Sequence, residues 1–75
     1  MNKKELSVVE RDKSVLEAII FFKAENDYAP TVREIAKITR RANATVKAAL
    51  ENLEKNGFIS TAKMKARTIK VLKVR

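Results

Sequence analysis

The sequence predicts a mainly α-helical fold with a small β-hairpin: three helices followed by a C-terminal wing-like pair of strands, in one domain over residues 1–75. Three observations predict it. Apolar residues recur at helical spacing in successive segments up to Leu53; residues 58–61 and 68–74 read as two strands; and the only glycine, Gly57, stands where one pattern gives way to the other. A chain of 75 residues forms a single core, with a stability on the order of 3–5 kcal/mol. It has no cysteine, so neither disulfides nor thiolate-bound metal can support that core, and apolar packing must hold it.

The first helix is predicted from about Val9 to Asn26. Val15, Leu16, Ile19 and Phe22 mark its inward face, and Asp12, Lys13, Glu17 and Lys23 are interleaved as a polar face. Asn26-Asp27 ends it, because both residues form helix poorly and tolerate turn geometry. Tyr28-Ala29-Pro30 is then extended, since the residue before a proline is pushed out of the α region. Thr31 is a good N-cap, and Glu34 three positions on completes a capping box at the start of the second helix. This helix carries Ile35, Ala36 and Ile38 inward and ends near Thr39 or Arg40. A turn through Arg40-Arg41-Ala42 leads to a third helix, about 43–56, with Val46, Leu50 and Leu53 facing in. Gly57 supplies the left-handed residue that a helix C-terminus favours. Phe58–Thr61 and Thr68–Val74 are the predicted strands, joined by a loop, 62–67, with Lys63, Lys65 and Arg67 at alternate positions.

Charge is divided unequally along the chain. Residues 1–31 hold five Lys/Arg and six Asp/Glu, a net of −1, whereas residues 32–75 hold twelve and three, a net of +9. Nearly all the positive potential therefore lies on the second half, as expected of a domain that docks on phosphate, and the partner implied is nucleic acid. The classes set aside are equally definite. There is no histidine, no cysteine, no glycine-rich phosphate loop and no segregated carboxylate pair, so an enzyme is not expected. No metal, cofactor or small-molecule ligand is implied. The longest apolar run, residues 18–22, is far short of the ~20 residues of a membrane span, and no signal core follows Lys3 and Lys4. A cytoplasmic, nucleoid-associated protein is the expectation.

The order of elements is that of a winged helix-turn-helix, and specific residues carry a closer resemblance. Arg11, Val15, Leu16 and Ile19 form an Arg-x-x-x-Val-Leu-x-x-Ile pattern, and Tyr28, Pro30, Thr31, Glu34, Ile35 and Ala36 form Tyr-x-Pro-Thr-x-x-Glu-Ile-Ala. Over about residues 8–72 the chain resembles the N-terminal DNA-binding domain of LexA-type bacterial repressors. The Ser-Lys self-cleavage domain of those repressors is not represented, so cleavage and induction are not carried over. The chain departs from the pattern at four places. Thr39-Arg40 replaces the usual Leu-Gly of the turn, Arg41 an apolar residue, Ala42 the Ser or Thr cap of the recognition helix, and Val9 a Thr at the start of helix one.

A helix-turn-helix lays its second helix in the major groove, about 12 Å wide, while the first crosses the backbone. With Val46, Leu50 and Leu53 inward, Asn43, Thr45, Lys47 and Ala48 are the expected base contacts. Thr31, Arg33, Arg40 and Arg41 are expected on phosphates, and Lys63, Lys65 and Arg67 on an adjacent groove or backbone. Asn43 serves as the N-cap of its helix, as an adenine contact, or as both. Arg41 either extends to phosphate or reflects a rebuilt turn. Lys70, Lys73 and Arg75 read better as a solvated strand face. Ile20 and Phe21 extend the apolar surface of helix one; either Leu6-Ser7-Val8 covers them or they form a homodimer interface. The expected function is a sequence-specific regulator binding double-stranded DNA, most simply a repressor. The alternatives are a low-specificity architectural or replication-associated DNA binder, and a winged-helix interaction module with an acidic partner.

Overall fold

The computed structural model describes residues 9–62 and 67–72. Helices α1 (Glu10–Asn26), α2 (Val32–Thr39) and α3 (Asn43–Lys55) precede strands β1 (Ile59–Ser60) and β2 (Lys70–Val71). The strands pair antiparallel, Ile59 opposite Val71 and Ser60 opposite Lys70. The architecture is the mainly helical winged helix that the sequence predicts.

Helix α1 starts after Val9, which takes the extended cap conformation without offering a side-chain acceptor, and Glu10 and Asp12 place negative charge in its first turn. It ends at Asp27, left-handed at φ 64°, whose N–H donates to the Lys23 carbonyl. Val15, Leu16, Ala18 and Ile19 are buried. Asp12, expected on the polar face, is buried with them at 1 % exposure. The reason lies in helix geometry: positions 12, 15, 16 and 19 form one i, i+3, i+4, i+7 stripe. The carboxylate tolerates the site because both oxygens are satisfied, Oδ1 accepting from Arg11 Nε at 2.8 Å and Oδ2 from Asn52 Nδ2 of α3 at 3.1 Å.

Helix α2 opens with the complete capping box. The Thr31 hydroxyl accepts from the Glu34 N–H at 3.2 Å, and Glu34 Oε1 accepts from the Thr31 N–H at 2.9 Å. Ile35 and Ala36 are buried and Val32 packs against them. Ile38, expected inward, is 43 % exposed. The inward stripe is 32, 35, 36 and 39, and at about 100° per residue Ile38 falls roughly a quarter-turn outside it. Thr39 occupies the stripe instead, its hydroxyl donating to the Ile35 carbonyl at 2.8 Å.

The turn closes without glycine. Arg40 takes φ 59°, and the Arg41 N–H donates to the Ala36 carbonyl at 3.1 Å, the long bond of a Schellman closure. Ala42 then holds the N-cap position of α3, with φ −69° and ψ 153° and no side-chain cap. Asn43 is the first helical residue, so it is not the cap. Val46, Ala49 and Leu53 bury one face of α3, and Leu50 packs partly against it. At the far end Gly57 takes φ 80° and the Phe58 N–H donates to the Leu53 carbonyl at 2.9 Å.

The hairpin is shorter than predicted. Phe58 turns into the core rather than extending β1, although its carbonyl still accepts from the Leu72 N–H at 2.7 Å. Beyond Ser60 a side chain replaces the ladder: the Ala62 N–H donates to the Thr68 hydroxyl at 3.0 Å, and that hydroxyl donates to the Ala62 carbonyl at 3.2 Å. Ile59 and Ile69 bring the hairpin onto the three helices, and one apolar cluster joins Val15, Ile19, Ile35, Val46, Leu53 and Ile59. That shared core fixes α3 relative to α2. Among the described residues no helix is long and apolar enough to cross a membrane.

Candidate nucleic-acid interface

The helix-turn-helix formed by α2, the turn and α3 presents polar and basic side chains on the surface opposite its buried stripe. On α3, Asn43, Ala44, Lys47 and Ala48 are exposed and Thr45 is half-buried. Thr45 sits on the flank because it adjoins buried Val46 and precedes buried Ala49 by one turn. Ala44 was not among the expected contacts, yet it points almost directly away from the core. Its signal was in the sequence: with Val46, Ala49 and Leu53 inward, position 44 lies about half a turn from the stripe. Farther along, Glu51, Glu54 and Lys55 are exposed. A phosphate surface repels those carboxylates, so the stretch suited to DNA is confined to the first turns of α3.

On α2, Arg33 and Lys37 are both exposed and lie four residues apart, hence on one face. Lys37 is a second residue missed by sequence reasoning, and the same i, i+4 spacing from Arg33 would have found it. Arg40 is exposed in the turn. Arg41, half-buried in place of an apolar residue, lays its stem inward; its Nε is buried and makes no hydrogen bond among the described residues. Thr31 is half-buried, and its hydroxyl oxygen accepts the Glu34 N–H of the capping box. Lys63 and Lys65 lie outside the described residues, as do Lys73, Arg75 and the segment Leu6-Ser7-Val8. Lys70 is exposed.

Arg67 is the wing residue that the structure places in detail. It adopts φ 58°, and its guanidinium reaches back to the start of α2. Nη1 donates to Glu34 Oε1 and Nη2 to Glu34 Oε2, each at 3.0 Å, and Nη1 also donates to the Ala29 carbonyl at 3.1 Å. Its Cζ lies 4.7 Å from the centroid of the Tyr28 ring, which meets Phe22 of α1 edge-on at 5.6 Å. The hydrogen bonds from Arg67 hold the Glu34 carboxyl below its usual range, with the Thr31 N–H adding to the effect against partial desolvation. Arg67 is reciprocally held protonated more firmly than usual, chiefly by Glu34.

At the outer side of α1, Ile20 is 36 % and Phe21 58 % exposed. Among the described residues no three His, Cys, Asp or Glu side chains gather as a metal site would require.

The model of the LexA DNA binding domain matches residues 4–68. No curated protein matches the chain.

Proposed function

The chain belongs to the LexA DNA-binding domain family, and from that premise we propose that it is a sequence-specific regulator of transcription, a repressor that occupies an operator in double-stranded DNA. DNA binding itself comes with the family. The observation that carries the finer reading is the composition of the exposed first turns of α3. Asn43, Ala44, Lys47 and Ala48 combine an amide, two methyl groups and a cation, and Arg33, Lys37 and Arg40 flank them. An Asn amide pairs bidentately with adenine, a methyl packs on the thymine methyl, and a Lys reaches guanine or phosphate. Thr45 contributes from the flank, and the α2 and turn residues, with Thr31 and Arg41, hold the backbone and set register. Lys63 and Lys65, in the sequence between the strands, are proposed as further contacts to an adjacent groove or backbone.

The protein acts in the cytoplasm on the nucleoid, as a two-fold dimer joined through Ile20 and Phe21 of α1. Such a dimer reads an inverted repeat with half-sites about one helical turn apart. Substituting Asn43 by Ala is expected to weaken specific binding by about 1–3 kcal/mol while leaving random duplex DNA unaffected. Equal losses on both would make the protein a low-specificity architectural binder. No binding to either duplex, together with capture of an acidic polypeptide, would make it a protein-interaction module.

A further inference from the structure

We propose that Arg67 is a positioning residue: it clasps the chain leading into β2 to the start of α2 through Glu34 and Tyr28, and so sets the β1–β2 hairpin beside the DNA-reading surface without itself neutralising a phosphate. The inference rests on the DNA-binding reading above. A basic residue next to a basic loop would ordinarily be assigned to phosphate. The geometry here is different, because both terminal nitrogens face a carboxylate at 3.0 Å and Cζ lies over an aromatic ring, 4.7 Å from its centroid. A bidentate Arg–carboxylate pair set over a Tyr ring uses the features that distinguish Arg from Lys. Three of its five N–H donors are engaged and its charge is already matched by Glu34, so Arg67 has little left to offer a phosphate while the contact holds.

The clasp also joins elements far apart in sequence. Arg67 lies 33 positions from Glu34 and 38 from Ala29. Glu34 is at once the reciprocal member of the α2 capping box, so one carboxylate fixes both the first turn of α2 and the path of the chain into β2. Tyr28 carries the linkage on to Phe22 of α1. Arg67 holds this contact from a left-handed conformation that side chains other than Gly seldom adopt. Such a residue persists where its surroundings over-determine it.

The two roles differ in sign and in salt dependence. Glu34→Gln retains a capping-box side chain but removes the charge of the pair. By long-range electrostatics alone, loss of a carboxylate near DNA strengthens binding. The clasp requires the opposite, a weakening of roughly threefold or more. Arg67→Lys keeps the positive charge but loses the bidentate geometry, and should weaken binding to a similar degree with an unchanged slope of affinity against salt. Arg67→Met should do the same, and the double variant Glu34→Gln/Arg67→Met should be no weaker than either single one.

The proposal is overturned if Glu34→Gln binds more tightly, or if Arg67→Lys binds as the unsubstituted protein does while Arg67→Met lowers the salt slope by about 0.9, the mark of one lost phosphate contact. An NMR measurement on the free protein separates this proposal from the DNA-binding reading. Arg67 side-chain protons should be shifted upfield by the Tyr28 ring, and their absence from that region overturns the clasp whether or not DNA binds. Failure of the unsubstituted protein to bind any duplex, with the upfield shift present, overturns only the DNA-binding reading and the role of the clasp in it.

Discussion

Arg40 joins two opposing demands in one residue, and replacing it should separate them. It occupies the left-handed conformation at φ 59° in the turn, where LexA-type repressors place glycine, and it is exposed beside α3. For a residue with a Cβ, the left-handed region costs about 1–2 kcal/mol. Glycine removes that cost but gains freedom in the unfolded chain worth roughly 0.5–1 kcal/mol. Arg40→Gly should therefore stabilise the fold by a net of about 0.5–1 kcal/mol. For a domain of this size each kcal/mol moves Tm by about 4–8 °C, so the expected rise is about 2–8 °C. Arg40→Ala retains the Cβ and the strain, and should show no such rise. On DNA the two variants should behave alike: each loses one positive charge, and if Arg40 holds one phosphate the salt slope falls by about 0.9 in both. Thermal unfolding by circular dichroism and duplex titrations at several salt concentrations give the two readouts. Equal melting temperatures for the Gly and Ala variants would refute the left-handed turn, and an unchanged salt slope in both would take Arg40 off the DNA.

Asp12→Ala leaves the Asn52 amide without its interhelical acceptor and should cost about 1–3 kcal/mol in urea unfolding; additivity with Asn52→Ala would show that the two side chains are not coupled. Ala42→Ser supplies the acceptor that α3 lacks and should gain about 0.5–2 kcal/mol, so an unaltered unfolding midpoint would show that the N-terminus of α3 is not short of a cap. The Glu34 carboxyl is held below its ordinary value, chiefly by Arg67, so the unfolded chain binds more protons near pH 4.5 than the folded one does at this group. Its stabilising contribution is present above that pH and is lost as pH falls through the lowered folded value. The unsubstituted protein should therefore lose more stability than Glu34→Gln on acidification from about pH 5; parallel pH profiles for the two would contradict the pairing.

The parts of the fold legible in the sequence are those fixed by neighbours. The capping box of Thr31 and Glu34 spans three positions, Asp27 stops α1 by local turn chemistry, and Gly57 provides the positive φ that ends α3. What periodicity concealed depends on distant partners. Asp12 looked like a solvated charge, because the Asn52 amide that satisfies it lies 40 positions away. Ile38 looked like core because Thr39, the true occupant of the stripe, is polar and hides its hydroxyl by bonding back to Ile35. Phe58 read as strand because its role as the residue after a glycine cap, buried against the helices, leaves no signature in alternation. In the candidate site, the outward positions of α3 followed from spacing, except that Ala44 is exposed and was not counted, while Thr45 is half-buried. The engagement of Arg67 by Glu34 was not legible, since nothing local links the wing to the start of α2.

The measurement closest to the central claim is selection of bound duplexes from a randomised pool at about 0.15 M ionic strength, where unspecific phosphate binding is partly screened. A sequence-specific dimeric regulator should enrich an inverted repeat of fixed spacing, and Asn43→Ala should relax the base preference at one position of each half-site. Survivors with no common sequence would contradict base reading by the first turns of α3. A single enriched half-site would retain base reading but contradict the dimer through Ile20 and Phe21.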